Sequence, residues 1–501
     1  MGIKSLLSKP FASVIAAQVK AQHKNPVDRQ LKVMQHLIVS AKETQFGIDH
    51  HFNTITSHKD FVKQITVRDY EGLKPYIEKL KEGKENILWK GKPIYFAKTS
   101  GTTSGVKYIP ITKESMPNHI TSARNALLLY INETKKAAFT EGKMIFLQGS
   151  PALTDMHGIK VGRLSGLVYN HVPNYLLKNR LPSYETNCIE DWELKVETIC
   201  KETMHENMSL ISGIPPWVLM YFEKLIELSR KEKIKDIFKN FSLFVYGGVN
   251  YEPYRAKIEN IIGKKIDSIE TYPASEGFIA YQDSQQEEGL LLNVDSGIFF
   301  EFIPSSEVFN ENPTRLTLAD IELGINYVVI INSNAGLWGY NIGDTIKFVS
   351  TTPHRIVVTG RIKHFISAFG EHVIGEEVEY ALLKVAEEQN IHITEFTVAP
   401  QVTPENNVLP YHEWFIEFEQ APNNLESFAS LVDEQLQQKN IYYKDLITGK
   451  ILHPLKITII EKNGFREYMK SMGKLGGQNK AARLSNDRTI ANELQRWVSR
   501  S

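Results

Sequence analysis

The sequence predicts a mixed α/β protein, with a large N-terminal domain of sheets and helices and a small α+β domain behind it. Three observations predict this. Short apolar strand-like runs alternate with helical stretches through the middle of the chain. After Gly289 the pattern changes to closely spaced strands. Beyond a boundary at Gly360–Arg361 comes a compact helix–strand–helix–strand series. Strand–helix alternation argues for parallel sheets with helices on their faces, and short strands separated only by turn residues argue for antiparallel pairing. The 501 residues leave room for more than one domain at roughly 100–200 residues each. The expected division is 1–360 and 361–501.

The elements follow in order. Val14, Ile15, Val19, Leu31, Met34, Leu37 and Ile38 recur at helical spacing, so residues 10–45 begin the chain with helices. Asp69 is placed to start a short helix that ends near Gly83. "PIYFAKTS" reads as a strand entering a polar loop and "VKYIPIT" as a strand leaving it. Thr112 then caps a helix over Ser115–Leu129. "MIFLQGS", residues 209–215, "FSLFVYGG" and "DSIETYPASEG" are strand-to-loop transitions, each preceded by a helical stretch. "GLLLNVDSGIFFEFIP", "NYVVIINS", "DTIKFVS" and "HRIVVTG" are the closely spaced strands. In the small domain "EEVEYALLKVAEEQ" and "LESFASLVDEQLQQKN" are helices, while "EWFIEFEQ" and "LKITIIEK" are strands. The glycine-rich basic stretch "KSMGKLGGQNKAARLSNDR" is either a disordered tail or a loop that reaches something.

Composition narrows the partners. Hydrophobic residues make up 42% and charged residues 23%, ordinary soluble usage. Lys plus Arg balances Asp plus Glu at 58 each, so no global field steers the protein toward nucleic acid or an anionic membrane. Local patches stay open, and the balance favours a small-molecule partner. Cys188 and Cys200 form neither a disulfide framework nor a metal cluster, and as structural thiols they fit a reducing compartment. Lys9 and Gln18 break up the first apolar run, and Leu6 stands where a myristoylation motif needs Ser or Thr. No apolar run reaches the length of a membrane span. A cytoplasmic protein without membrane insertion is expected, a monomer by default.

Three short stretches can carry chemistry. From Thr99 to Gly105 the chain is an unbroken run of hydroxyl and glycine residues, followed by the cation of Lys107. Thr99, Ser100, Thr102, Thr103 and Ser104 offer donors, and Gly101 and Gly105 let backbone amides approach a ligand, as a phosphate requires. Walker A spacing is absent, and the alternative is a flexible polar turn. Glu276, in "YPASEG" with Ser275, is placed to hold a magnesium ion that bridges phosphates, or is a solvated turn glutamate. Asp344, after a glycine in "WGYNIGDTIKF", is placed to accept ribose hydroxyls, or is an ordinary turn aspartate.

Taken together and in order, "TSGTTSG", "YPASEG", "YNIGDTIKF", "GRIKHFISAFGEHV" and "GGQNKAARL" resemble the plant acyl acid–amido synthetases. These form the auxin-responsive Gretchen Hagen family, a branch of the adenylate-forming superfamily with acyl-CoA synthetases and luciferases. The resemblance spans roughly residues 90–490. It implies the adenylate-forming fold, with a C-terminal domain that rotates between two half-reactions. The implied activity joins a small carboxylic acid to ATP, releasing pyrophosphate, and then passes the acyl group to an amino acid.

By the same resemblance Ser100, Gly101, Thr102 and Thr103 hold phosphates, and Glu276 holds Mg²⁺. Tyr272 and the Gly247–Gly248–Val249 loop surround adenine and ribose. Asp344 and Arg361 meet the ribose, and Lys480 neutralises charge at the α-phosphate. Two departures stand out. His372 lies near the place of a family lysine, where a donor's charge would depend on pH. The family's Tyr-Arg-x-Gly-Asp reads Tyr340-Asn341-Ile342-Gly343-Asp344. Arg124 is a candidate for attracting the acyl carboxylate or a solvated helix residue, and Trp217 a candidate pocket wall or core residue. An acyl-CoA ligase sharing the first step, and a non-catalytic nucleotide-binding homologue, are the competing functions.

Overall fold

The computed structural model describes residues 2–100, 106–171, 178–249, 251–308, 310–362, 365–366, 373–402, 404, 408–449, 451–473, 475, 481–485 and 487–499. Two units divide the chain: Met1–Asn250 with Ile258–Ile342 and Ile346–Val357, and Tyr251–Lys257 with Gly343–Thr345 and Val358–Ser501.

Helices Ile3–Gln22 and Pro26–Ala41 open the first unit. Ala12, Ile15 and Val19 are buried in one cluster with Ala126, Leu129 and Ile131, which lie on helix Met116–Thr134. Asp69 caps helix Tyr70–Lys81, accepting from the amides of Glu71 and Gly72, a cap worth ~1 kcal/mol. Helix Met116–Thr134 runs past Leu129 because its apolar face continues through Tyr130 and Ile131, both buried. Thr112 is not its cap. It exchanges hydrogen bonds with Ser115 instead, Thr112 N donating to Oγ at 2.9 Å and Ser115 N to Oγ1 at 3.0 Å.

Fifteen strands follow one another among the described residues up to Arg361. They are β1 (Tyr95–Ser100), β2 (Val106–Ile111), β3 (Lys143–Phe146), β4 (Thr154–Met156), β5 (Ile159–Gly162), β6 (Arg180–Leu181), β7 (Met208–Ser212), β8 (Leu243–Gly247), β9 (Asp267–Ala274), β10 (Gly277–Tyr281), β11 (Leu290–Leu292), β12 (Ile298–Pro304), β13 (Asn326–Ser333), β14 (Tyr340–Thr351) and β15 (His354–Arg361). Four form a small sheet in the order β2-β1-β5-β4. The others form one large sheet, β12-β13-β14-β15-β11-β10-β9-β8-β7-β3-β6. Its members β6, β3, β7, β8 and β9 are parallel. Helices Trp192–Thr203, Pro215–Ser229 and Glu252–Ile262 intervene between them in sequence. Pairs β9–β10, β10–β11, β11–β15 and β12–β13 are antiparallel. The parallel and antiparallel stretches of the sequence are thus two halves of a single mixed sheet.

The second unit carries the expected α+β series. The short pair β16 (Phe365–Ile366) and β17 (Val373–Ile374) leads into helix Gly375–Glu388. Strands β18 (Ile393–Gln401) and β19 (Tyr411–Phe418) pair antiparallel, and β19 pairs with β20 (His453–Ile460) in parallel. Trp414, Phe428 and Val432 anchor its core. Residues that follow Lys480 are no tail: Leu484 is fully buried and bridges Val398. Val398 N donates to Arg483 O at 3.0 Å, and Ser485 N donates to Val398 O at 2.9 Å. No helix among the described residues is long and apolar enough to cross a membrane.

Candidate functional site

Parallel strands send their carboxyl ends to one edge of a sheet, and open α/β sheets bind ligands along that edge. Here the edge is formed by the ends of β3, β7, β8 and β9. Gly247, last residue of β8, pairs with Thr271 of β9, so Tyr272 to Glu276 run on just past the end of β8. The approach is close enough to demand glycine. A Cβ on Gly247 would collide with Thr271 O and stand 2.8 Å from its Oγ1 and 3.2 Å from Pro273 Cδ. Thr271 Oγ1 locks the junction by donating to Tyr246 O at 2.8 Å. Gly248 turns the chain with φ +77°, and Val249 is half-buried beside it.

Tyr272 is buried on β9, while Ser275 and Glu276 form the half-buried turn into β10. The hydroxyl of Tyr340, on β14, faces Glu276 Oε1 at 3.5 Å. Burial first, and then the charge of Glu276, pushes the Tyr340 phenol well above its usual range. It therefore stays protonated and can only offer its proton to the carboxylate. Tyr340 is quoted within the ribose motif, but its partnership with Glu276 has no sequence signal.

Thr99 and Ser100 end β1 and pair with Lys107 and Val106 of β2. The first two residues of the hydroxyl run therefore belong to a strand paired antiparallel with β2, and Gly101, Thr102, Thr103, Ser104 and Gly105 lie outside the described residues. Lys107 Nζ lies 5.7 Å from the Tyr70 ring centroid. The Tyr70 hydroxyl accepts from Tyr108 N at 3.0 Å, so the helix capped by Asp69 braces β2.

In the second unit Asp344 and Arg361 come together. Arg361 Nε donates to Asp344 Oδ1 at 2.6 Å, with the carboxylate mostly buried and the guanidinium half-exposed. Gly343 and Asp344 lie inside β14 rather than in a turn; Gly343 has φ +83°, and its carbonyl accepts from Ile362 N at 2.7 Å. His372 and Lys480 lie outside the described residues. Arg124 is exposed on its helix and donates to Asn125 Oδ1 at 3.0 Å. Trp217 is buried against Trp192, ring centroids 4.8 Å apart.

Sequence reading passes over Lys195. It is buried, and its ammonium donates to Gln148 O at 3.0 Å and Asn187 O at 2.6 Å. That clamp holds the chain just beyond the end of β3. Burial lowers its pKa to about 8. An isolated lysine on a helix gives no period that would single it out.

The chain has the adenylate-forming fold. It superposes on the GH3.15 acyl acid amido synthetase with a TM-score of 0.78 at 14% identity, over 96% of each chain. A 2-hydroxyisobutyryl-CoA ligase in its postadenylation state gives 0.57 at 12% identity, over 95% of this chain and 92% of that one. Models of the GH3 family match in series: its N-terminal domain at residues 15–185, its central domain at 291–361 and its C-terminal domain at 376–489. This chain belongs to the GH3 family. Relatives include the indole-3-acetic acid-amido synthetase GH3.3 of Arabidopsis thaliana, 22% identical over 88% of this chain and 86% of that protein. The jasmonoyl–L-amino acid synthetase JAR4 of Nicotiana attenuata is 21% identical, over 74% of this chain and 75% of its own length.

Proposed function

We propose that this protein is an ATP-dependent acyl acid–amido synthetase. In the first half-reaction a carboxylate oxygen of the acid attacks the α-phosphorus of ATP, and the bond to pyrophosphate breaks. In the second, the amine of an amino acid attacks the acyl carbon, loses a proton and expels AMP. The observation that carries the reading is the edge where Gly247 meets β9, with Glu276 and Tyr340 beside it, in a member of a family of synthetases.

Positioning and charge neutralisation are what phosphoryl chemistry asks of a protein. Donors from Ser100, Gly101, Thr102 and Thr103, with Thr99 and Ser104 beside them, hold the phosphates. Gly247, Gly248, Val249, Tyr272 and Ser275 form the wall for adenine and ribose. Asp344 serves the ribose hydroxyls and shares its carboxylate with Arg361. Lys480 and His372 are the cations assigned to neutralise the developing negative charge. Mg²⁺ takes one or two carboxylates plus phosphate oxygens, so the single half-buried carboxylate of Glu276 suits it. When bound, the ion neutralises phosphate charge, and the Tyr340 hydroxyl orients the carboxylate.

The test is ATP–pyrophosphate exchange across a panel of aryl, indole, jasmonate-like and fatty acids. Exchange that depends on one class of acid supports adenylation. AMP release completed by an amino acid, and not by coenzyme A, supports the amide product over the thioester. ATP binding without exchange for any acid would refute the proposal.

A further inference from the structure

Helix Ile3–Gln22 carries two apolar faces, and among the described residues only one of them is packed into the fold. Ala12, Ile15 and Val19 are buried. On the other side Ile3, Leu6, Leu7, Phe11 and Val14 are 77%, 62%, 65%, 48% and 54% exposed. At 3.6 residues per turn those five cover an arc of about 140°, roughly opposite the buried face. Between residues 3 and 17 that arc also contains Pro10 and Ala17, both exposed, and nothing polar. Single exposed apolar residues are ordinary, but a continuous stripe marks an interaction surface.

Charge identifies the partner. Exposed Lys4 borders the stripe on one side and exposed Lys20 on the other, and exposed Lys24 follows the helix. No Asp or Glu occurs before Asp28. The neighbouring carboxylate of Glu141 accepts from Ser5 N at 2.7 Å, on the buried side. Cationic borders would repel those of a second copy of the helix. They complement an anionic plane, because lysine stems lie along apolar surface while their ammonium groups reach outward.

We propose that helix Ile3–Gln22 is an interfacial helix, which seats its exposed stripe at the headgroup–acyl boundary of a bilayer containing anionic lipid. The buried face keeps the helix docked on Met116–Thr134, so the whole chain is brought to the surface without spanning it. The neutral overall charge does not oppose this, since the attraction is local and falls off within a Debye length.

Co-sedimentation of the full chain with vesicles tests the proposal. Binding is expected to vesicles of phosphatidylcholine with phosphatidylserine, and not to phosphatidylcholine alone. Leu7→Glu with Phe11→Glu should abolish it, with thermal melting and ATP–pyrophosphate exchange unchanged. Lys4→Gln and Lys20→Gln should each weaken it about fivefold, and added salt should weaken it further. Absence of binding to the anionic vesicles overturns the proposal, as does binding that all four substitutions leave intact. A dimer that Leu7→Glu and Phe11→Glu dissociate, without any vesicle binding, would replace it with self-association.

Discussion

Replacing Gly247 by alanine asks whether the junction of β8 and β9 is the floor of the active site. The new Cβ would meet Thr271 O head-on and lie 2.8 Å from Thr271 Oγ1, where ordinary contact begins at 3.4 Å. Oγ1 would have to retreat by about 0.6 Å, but it is held to Tyr246 O at 2.8 Å. The carbonyl belongs to the strand and cannot rotate away. Strain must therefore pass into the stretch that leads to Tyr272, Ser275 and Glu276. Overpacking of this kind costs ~1–3 kcal/mol, which leaves a domain with typical stability folded. A displacement approaching 1 Å at a site that works by positioning costs about 10²-fold in rate. Gly247→Ala should accordingly lower ATP–pyrophosphate exchange by about 10²-fold, with only a modest fall in the urea midpoint. Ile331→Val, buried on β13, supplies a control destabilised by ~0.5–1.5 kcal/mol with full exchange. Normal exchange in a destabilised Gly247→Ala would refute the reasoning and leave the junction purely structural.

Further expectations follow from the same structure. Tyr340→Phe removes the hydroxyl that faces Glu276 and should raise the Mg²⁺ concentration for half-maximal exchange by about 10–100-fold, measured as a magnesium titration. Lys480→Ala should abolish exchange while thermal melting stays unchanged; full residual adenylation would sink its assignment. Burial holds fully buried His119 at a pKa of about 4, against 6.5 in the open chain. The unfolded chain therefore binds the extra proton between pH 6.5 and 4, and stability should drop by ~3 kcal/mol as pH falls through that window. Denaturant midpoints at pH 7.5, 6 and 5 should show a steeper fall for the parent chain than for His119→Gln.

Local signals were readable where a local cause governs the structure. Asp69 starts its helix because a carboxylate can satisfy free amides two and three residues on, all within one turn. The strand character of "FSLFVYGG" and "DSIETYPASEG" places β8 and β9 within a few residues. Membership of a sheet is another matter. Leu290–Leu292 reads as an antiparallel strand, yet nothing in those residues shows that it lies between β10 and β15 in the large sheet, because that is decided by hydrogen bonds to distant segments. Leu484 has the same problem in a sharper form. Leucines nine residues apart in a glycine-rich, basic run have no helical or strand period, and the burial of Leu484 against Val398 is created by the strand it meets.

The candidate site divides along the same line. Glu276 and Asp344, taken singly, look like turn carboxylates, and only their order with the hydroxyl run makes them conspicuous. What each does depends on groups far away in sequence. Glu276 is faced by Tyr340, 64 residues on, and Asp344 is paired with Arg361, 17 residues on. The first partnership is invisible to any window short enough to show helical or strand period. The exposed stripe on helix Ile3–Gln22 shows the converse. Its apolar residues are plain in the sequence, but they fall on two faces of the helix, and periodicity alone does not say which face is buried. Only the structure separates the face packed against Met116–Thr134 from the face that stays exposed among the described residues, and that separation marks a surface that can meet a membrane.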